Sequence, residues 1–92
     1  MHITVEFNGQ LRHLAACDEV QIELDAGESV PELFRKLAEG RDEMFNAILL
    51  DSQGNPAAST LILMGDEPIE REPWPELKDG DVLTILPPIA GG

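Results

Sequence analysis

Ile3, Val5 and Phe7 alternate with His2, Thr4 and Glu6 at the start of the chain. That two-residue period predicts a strand with one buried face. Asn8-Gly9 follows and is a strong hairpin signal, so the stretch from Leu11 to Cys17 reads as the irregular start of a returning strand. Val20, Ile22 and Leu24 alternate again with Gln21, Glu23 and Asp25 and predict a second half-buried strand. Asp25-Ala26-Gly27-Glu28 is a turn.

The period then changes to helical. Val30, Leu33, Phe34, Leu37 and Ala38 recur at three- and four-residue spacing, a core-facing stripe. Ser29 precedes it and Glu32 follows three residues later, the arrangement of a capping box. Pro31 is tolerable there because first-turn N–H groups have no intrahelical acceptor. Gly40 stops the helix. Arg35 and Lys36 lie off the stripe and are expected in solvent.

Beyond the helix the pattern is shorter in range. Phe45, Ala47, Ile48, Leu49 and Leu50 suggest a strand, and Asp51 to Pro56 a turn or exposed arm. Leu61-Ile62-Leu63-Met64 predicts another strand, closed by Gly65-Asp66. The segment from Glu70 to Glu76, with Pro73 and Pro75 around Trp74, reads as a loop, with Trp74 as a loop anchor or, alternatively, a partner-facing aromatic. Asp79-Gly80-Asp81 turns the chain into Val82-Leu83-Thr84-Ile85-Leu86. This last run is nearly all apolar, as in strands buried on both faces, and belongs in the middle of a sheet. The first and last strands, joined through the helix, are candidates for parallel neighbours. The predicted architecture is α+β: a β-grasp fold, ubiquitin-like, with a mixed sheet packed on one main helix. Residues 1–86 form the domain and residues 87–92 an extended C-terminal tail.

At 92 residues the chain has room for one domain and a modest core. Eighteen acidic residues face six basic ones, giving a net charge of −12. Phosphate backbones and anionic lipid repel such a surface, so neither nucleic acid nor membrane is an expected partner. The acidity serves solubility or steers a basic partner. The start carries no basic segment followed by an apolar run, and no stretch approaches the length of a membrane span, so a cytoplasmic location is expected.

Catalytic motifs are missing from the sequence. Cys17 is the single cysteine, and Asp18 and Glu19 beside it disfavour a thiolate. A buried or inert cysteine is expected. His2 and His13 share no metal-ligand spacing, and no metal site is expected. Asp51-Ser52-Gln53-Gly54-Asn55 faintly suggests a calcium loop, but glycine falls at its fourth position and Ile62 stands where a bidentate glutamate belongs. Asp66, Glu67, Glu70 and Glu72 read as solvated. The chain is expected to be no enzyme and to bind no cofactor of its own.

The ending carries the chemistry. Gly91-Gly92 sits behind a predicted strand and a stiff apolar run, Pro87-Pro88-Ile89-Ala90. A terminal glycine offers a carboxylate without a side chain beside it, able to thread a narrow active site and become an acyl group there. Pro87 and Pro88 hold the tail extended and reduce the entropy lost on threading.

The segment from Asp79 to Gly92 resembles the closing segment of the ubiquitin-like sulfur carriers, the MoaD/ThiS family: a DGD turn, an apolar strand, two prolines, a small residue and Gly-Gly. Met64-Gly65-Asp66-Glu67-Pro68-Ile69 is similar to that family's short turn before the last segment, and Ser29 to Leu37 to its capped helix. The double proline resembles the small subunit of molybdopterin synthase. The longer arm from Leu50 to Leu61 and the Thr84–Pro87 run also resemble carriers serving cysteine synthesis, and Leu86 stands where many molybdopterin subunits have phenylalanine.

The resemblance implies a mechanism. An E1-like adenylyltransferase activates the Gly92 carboxylate with ATP, and a sulfur donor displaces AMP to leave a thiocarboxylate. Leu86, Pro87, Pro88, Ile89, Ala90 and Gly91 form the partner-binding tail. The large subunit of molybdopterin synthase, or another sulfur-accepting enzyme, receives the sulfur. The same carrier chemistry in cysteine or thiamine synthesis, a protein modifier joined to lysine, and a plain interaction module are the alternatives.

Overall fold

A computed structural model describes residues 1–71 and 73–88. The chain forms β1 (His2–Phe7), α1 (Gly9–Ala15), β2 (Glu19–Glu23), α2 (Val30–Ala38), α3 (Glu43–Leu49), β3 (Leu61–Met64), β4 (Glu67–Pro68) and β5 (Val82–Leu86). The five strands make one mixed sheet in the order β2-β1-β5-β3-β4. β1 pairs antiparallel with β2 and parallel with β5, while β3 runs antiparallel to both β5 and β4. This is the expected α+β, β-grasp architecture, with the first and last strands parallel at its centre.

Two segments differ from the sequence reading, and both are helices. Asn8-Gly9 opens no hairpin. Asn8 occupies the N-cap position of α1 without a side-chain capping bond, and Ala16 ends the helix in the left-handed region at φ 60°. Leu11, Leu14 and Ala15 share one face of α1; Leu11 and Ala15 are buried and Leu14 packs against them. A tight turn would have left Leu11 in solvent, so burial overrides the local turn preference. The Phe45–Leu50 segment is likewise α3, not a strand. The Asp42 carboxylate accepts from the Met44 N–H at 3.0 Å, capping the helix. Phe45 and Leu49 face inward one turn apart, and Ala47 points to solvent. The sheet is therefore covered by three helices instead of one.

α2 follows its sequence. The Glu32 carboxylate accepts from the Ser29 N–H at 2.9 Å, and Gly40 takes φ +71° just past the end. Lys36 is not free in solvent as expected. It donates to the Glu23 carbonyl at 3.1 Å and to the Glu28 carboxylate at 3.0 Å, tying α2 to the end of β2. Arg35 is exposed and also engaged, donating to Asn55 Oδ1 at 2.9 Å.

The core lies between the helices and one sheet face. Ile3, Val5 and Phe7 of β1, Ile62 of β3, and Leu83 and Ile85 of β5 meet Val30, Leu33, Phe34, Leu37, Phe45 and Leu49. Phe7 and Phe45 pack edge to face at 5.5 Å. The Arg41 guanidinium lies 5.3 Å from the Phe45 ring centre and donates to the Ala15 carbonyl at 3.2 Å, which fastens the end of α1.

Candidate functional site

The Asp79-Gly80-Asp81 turn sets the strand that leads to the tail. The Asp79 carboxylate accepts from the His2 N–H at 2.7 Å, and Asp81 accepts from the Lys78 N–H at 2.8 Å. Gly80 takes φ +88° and donates its N–H to the His2 carbonyl at 2.8 Å. Two short acids and a glycine thus lock the turn and lay β5 alongside the start of β1, in a register pairing Thr4 with Val82 through Phe7 with Ile85.

β5 is central, as its apolar run implies, but it is not buried on both faces. Leu83 and Ile85 are fully buried. Val82 is 37% exposed, and Thr84 and Leu86 are half-buried. The three helices all pack on the side of Leu83 and Ile85. Alternation puts Val82 and Leu86 on the opposite face with Leu61 and Leu63 of β3. Leu61, paired with Leu86, is 47% exposed. Four aliphatic side chains therefore meet solvent across two adjacent strands, and single exposed leucines do not account for such a cluster. Glu6 borders it on β1 and accepts from the Thr84 hydroxyl at 3.2 Å. Exposed Asp66 and Glu67 lie at the β3–β4 turn.

This face runs directly into the base of the tail. Leu86 is the last residue of β5, Pro87 is half-buried, and Pro88 is exposed. Ile89, Ala90, Gly91 and Gly92 lie outside the described residues, and with them the greater part of the expected partner-binding tail. The sequence reading placed the site in the tail alone and missed the apolar face. The only signal in the sequence was the nearly all-apolar run of β5, which looks the same whether or not a helix covers its second face.

The other candidates resolve into structure. Cys17 is half-buried against the core and borders an open cleft with Gly9, Arg12 and His13. His2 is exposed. The Asp51 carboxylate accepts from the Gln53 and Asn55 N–H groups at 2.9 and 3.0 Å, so its arm is a backbone turn. Trp74 packs on the core with the Arg71 guanidinium 5.5 Å from its ring centre, which favours the loop anchor. Arg71 also donates to the carbonyls of Pro56 and Thr60, and its partial burial lowers its pKa from the ordinary value. No group of three potential metal ligands comes together among the described residues. No helix among them is long and apolar enough to cross a membrane.

The model of the ThiS family matches residues 5–92. The chain belongs to the ThiS family. Its members are small ubiquitin-like sulfur carriers and modifiers. No curated protein matches the sequence. Among solved structures, the chain is similar to SAMP1 from Haloferax volcanii, with 17% identity, full coverage of both chains and a TM-score of 0.84. It is similar to Urm1 from Trypanosoma brucei at 25% identity, over 99% of this chain and 95% of that one, with a TM-score of 0.77. A third similar structure is the complex of subunits 1 and 2 of the molybdopterin-converting factor from Helicobacter pylori, with 24% identity, full coverage of both chains and a TM-score of 0.62.

Proposed function

We propose that this ThiS-family chain is a sulfur carrier of molybdopterin biosynthesis, with residues 1–86 as the docking domain and residues 87–92 as the working tail. A carboxylate oxygen of Gly92 attacks the α-phosphorus of ATP on an E1-like adenylyltransferase, and pyrophosphate leaves. A sulfur donor then displaces AMP from the acyl carbon, leaving a thiocarboxylate. The tail delivers that sulfur in the active site of the large molybdopterin-synthase subunit. The catalytic groups belong to the partners. This chain contributes the acyl group, its presentation and the docking surface.

The observation that supports this reading most is the open face of β3 and β5 ending at Pro87-Pro88. A partner seated on Leu61, Leu63, Val82 and Leu86 would find the tail entering its own surface beside the contact. Glycine at 91 and 92 removes the β-carbons that would crowd attack at the acyl carbon. Carriage of sulfur for cysteine or thiamine synthesis uses the same tail and differs only in the acceptor, as does joining the tail to a lysine.

The test is a mass measurement. Incubated with its cognate activating enzyme, ATP and a sulfur source, the protein should gain the mass difference between sulfur and oxygen. Deleting Gly92 should abolish the gain and leave thermal unfolding unchanged, because the residue lies beyond the last strand. A deletion variant thiolated at the normal rate would leave the plain interaction module as the better reading. Addition of the large molybdopterin-synthase subunit and the precursor pterin should then return the mass to its starting value. Retention of the sulfur there, with loss to a cysteine-forming enzyme, would move the protein to the other pathway.

A further inference from the structure

β1 and β5 are parallel, so both leave the sheet at the same end. Their last paired residues are Phe7 and Ile85, and the Asn8 N–H still donates to the Ile85 carbonyl at 3.3 Å. Beyond that bond both chains must turn within a few ångströms of each other. β1 turns into α1 through Gly9 at φ +56°, and β5 runs into Pro87.

The two exits meet. A β-carbon added to Gly9 would lie 3.3 Å from Pro87 Cγ and 3.8 Å from Pro87 Cδ. The first distance is shorter than a comfortable carbon–carbon contact of about 3.5–4.0 Å. The proline ring is bonded back to its own nitrogen, so it yields only by changing its pucker or by a shift of the tail backbone. The other positive-φ glycines among the described residues, Gly27, Gly40, Gly54, Gly65 and Gly80, have nothing within 4 Å of an added β-carbon. At those positions glycine serves the backbone angle alone. At Gly9 it also serves a neighbour, and that neighbour is the first residue of the tail.

We propose that Gly9 and Pro87 form a seat that aims the C-terminal tail, with Gly9 acting as a positioning residue for activation of the Gly92 carboxylate. The inference rests on the carrier reading of the tail. Pro87 is where the tail leaves the sheet, and the acyl carbon lies five residues further along the chain. A misplacement of about 1 Å at a reacting atom costs on the order of a hundredfold in rate. Docking rests mainly on Leu61, Leu63 and Val82, which do not border the seat, so the loss falls chiefly on kcat for thiocarboxylate formation and little on KM for this protein.

A double-mutant cycle tests it. Gly9→Asn adds a β-carbon with the residue that best tolerates a left-handed backbone, and Pro87→Ala removes Cγ and Cδ. Gly9→Asn alone should lower kcat for thiolation about tenfold with KM little changed. In the Pro87→Ala background the same substitution should cost less than about twofold, since any backbone strain at position 9 is common to both arms and cancels. Equal losses in the two backgrounds, or no loss at all, would overturn the seat. Gly9→Ala replaces Gly9→Asn should the latter fail to fold. Residual dipolar couplings at the Ile89 and Ala90 amides read the aim without any chemistry: Gly9→Asn should change them and the double variant should restore them. If the wild-type protein is not thiolated, the carrier reading fails. The seat is then judged by those couplings alone, and unchanged couplings would overturn it.

Discussion

Leu83 and Ile85 point from β5 into the core and are fully buried, whereas Val82 and Leu86 lie on the other face of the same five-residue strand and meet solvent. The residue types are alike, and the surroundings differ. One face meets α1, α2 and α3, and the other meets water. An aliphatic side chain held in water is not explained by folding, because burial drives folding and exposure contributes nothing to it. The covered face is accounted for by stability. The open face is not accounted for by stability, and under the proposed carrier role it is the surface that a partner covers part of the time.

The comparison breaks most sharply on the covered face. Leu83→Ala should cost about 3 kcal/mol of unfolding free energy, the scale for a fully buried leucine whose site cannot collapse. Urea denaturation should show a lower midpoint with an unchanged slope. A loss below about 1 kcal/mol would mean that the core relaxes around β5, and the two faces would differ less than their burial indicates.

The open face should respond in the opposite sense. Val82→Asp, and Leu61→Asp on the neighbouring strand, should change stability by less than about 1 kcal/mol, as expected for surface positions. Either should weaken binding to the activating enzyme about ten- to hundredfold, because a carboxylate would be desolvated at the centre of an apolar contact. Titration calorimetry with each variant decides it. Full affinity in both would detach the patch from docking.

Much of this was legible in the chain. The alternation of Ile3–Phe7 and Val20–Leu24, the capped α2 and the central β5 follow from period and capping chemistry alone. The helices α1 and α3 did not follow, because each is seven residues long and presents only two or three inward positions. Over so short a span Leu11, Leu14 and Ala15 fit a ragged strand as well as a helix, and Asn8-Gly9 pointed locally to a turn. The run from Ala47 to Leu50 is continuously apolar, which hides a helical stripe. The proposed role of the tail rests on its residue types, whereas the face beside it was not readable. An apolar strand has one appearance in sequence whether its second face meets a helix or a partner. The contact of Gly9 with Pro87 joins residues far apart in the chain, and no local pattern encodes it.

The acids around the open face sharpen the comparison through rates. Of the six bases, Arg41 and Arg71 lie on aromatic rings and backbone carbonyls, and Arg12, Arg35 and Lys36 each sit beside an acid. Most of the eighteen acids are therefore left to the long-range field. The association rate with the activating enzyme should fall severalfold as salt rises, since screening shortens that attraction to about 10 Å at 0.1 M. The dissociation rate, set by the apolar contact, should change little. A salt-independent association rate would assign the acidity to solubility alone.

The smallest effect belongs to the rim of the covered side, where Lys36 joins α2 to the end of β2. Glu28 accepts hydrogen bonds from the Asp25 N–H and from Lys36, which hold its pKa below the ordinary carboxylate value. The hydrogen bond to Glu28 in turn raises the pKa of Lys36. A carboxylate depressed in the folded state stabilises above its unfolded pKa, near 4.3, and that contribution is lost as pH falls through the lower folded value. An ammonium raised in the folded state stabilises below its unfolded pKa, near 10.4, and loses that contribution as pH climbs through the higher folded value. The pair therefore supports the covered side across the neutral range and fades at both ends. Both side chains are half-buried at the surface, where water still screens the pair, so the effect is small. The melting temperature of Glu28→Gln should lie slightly below that of the wild type near neutral pH and converge with it in acid. Affinity for the activating enzyme at neutral pH should stay the same in both, because the pair lies on the side of the sheet away from Val82 and Leu61. A difference in melting temperature that persists after Glu28 is fully protonated would mean that the glutamate acts through packing and not through its charge.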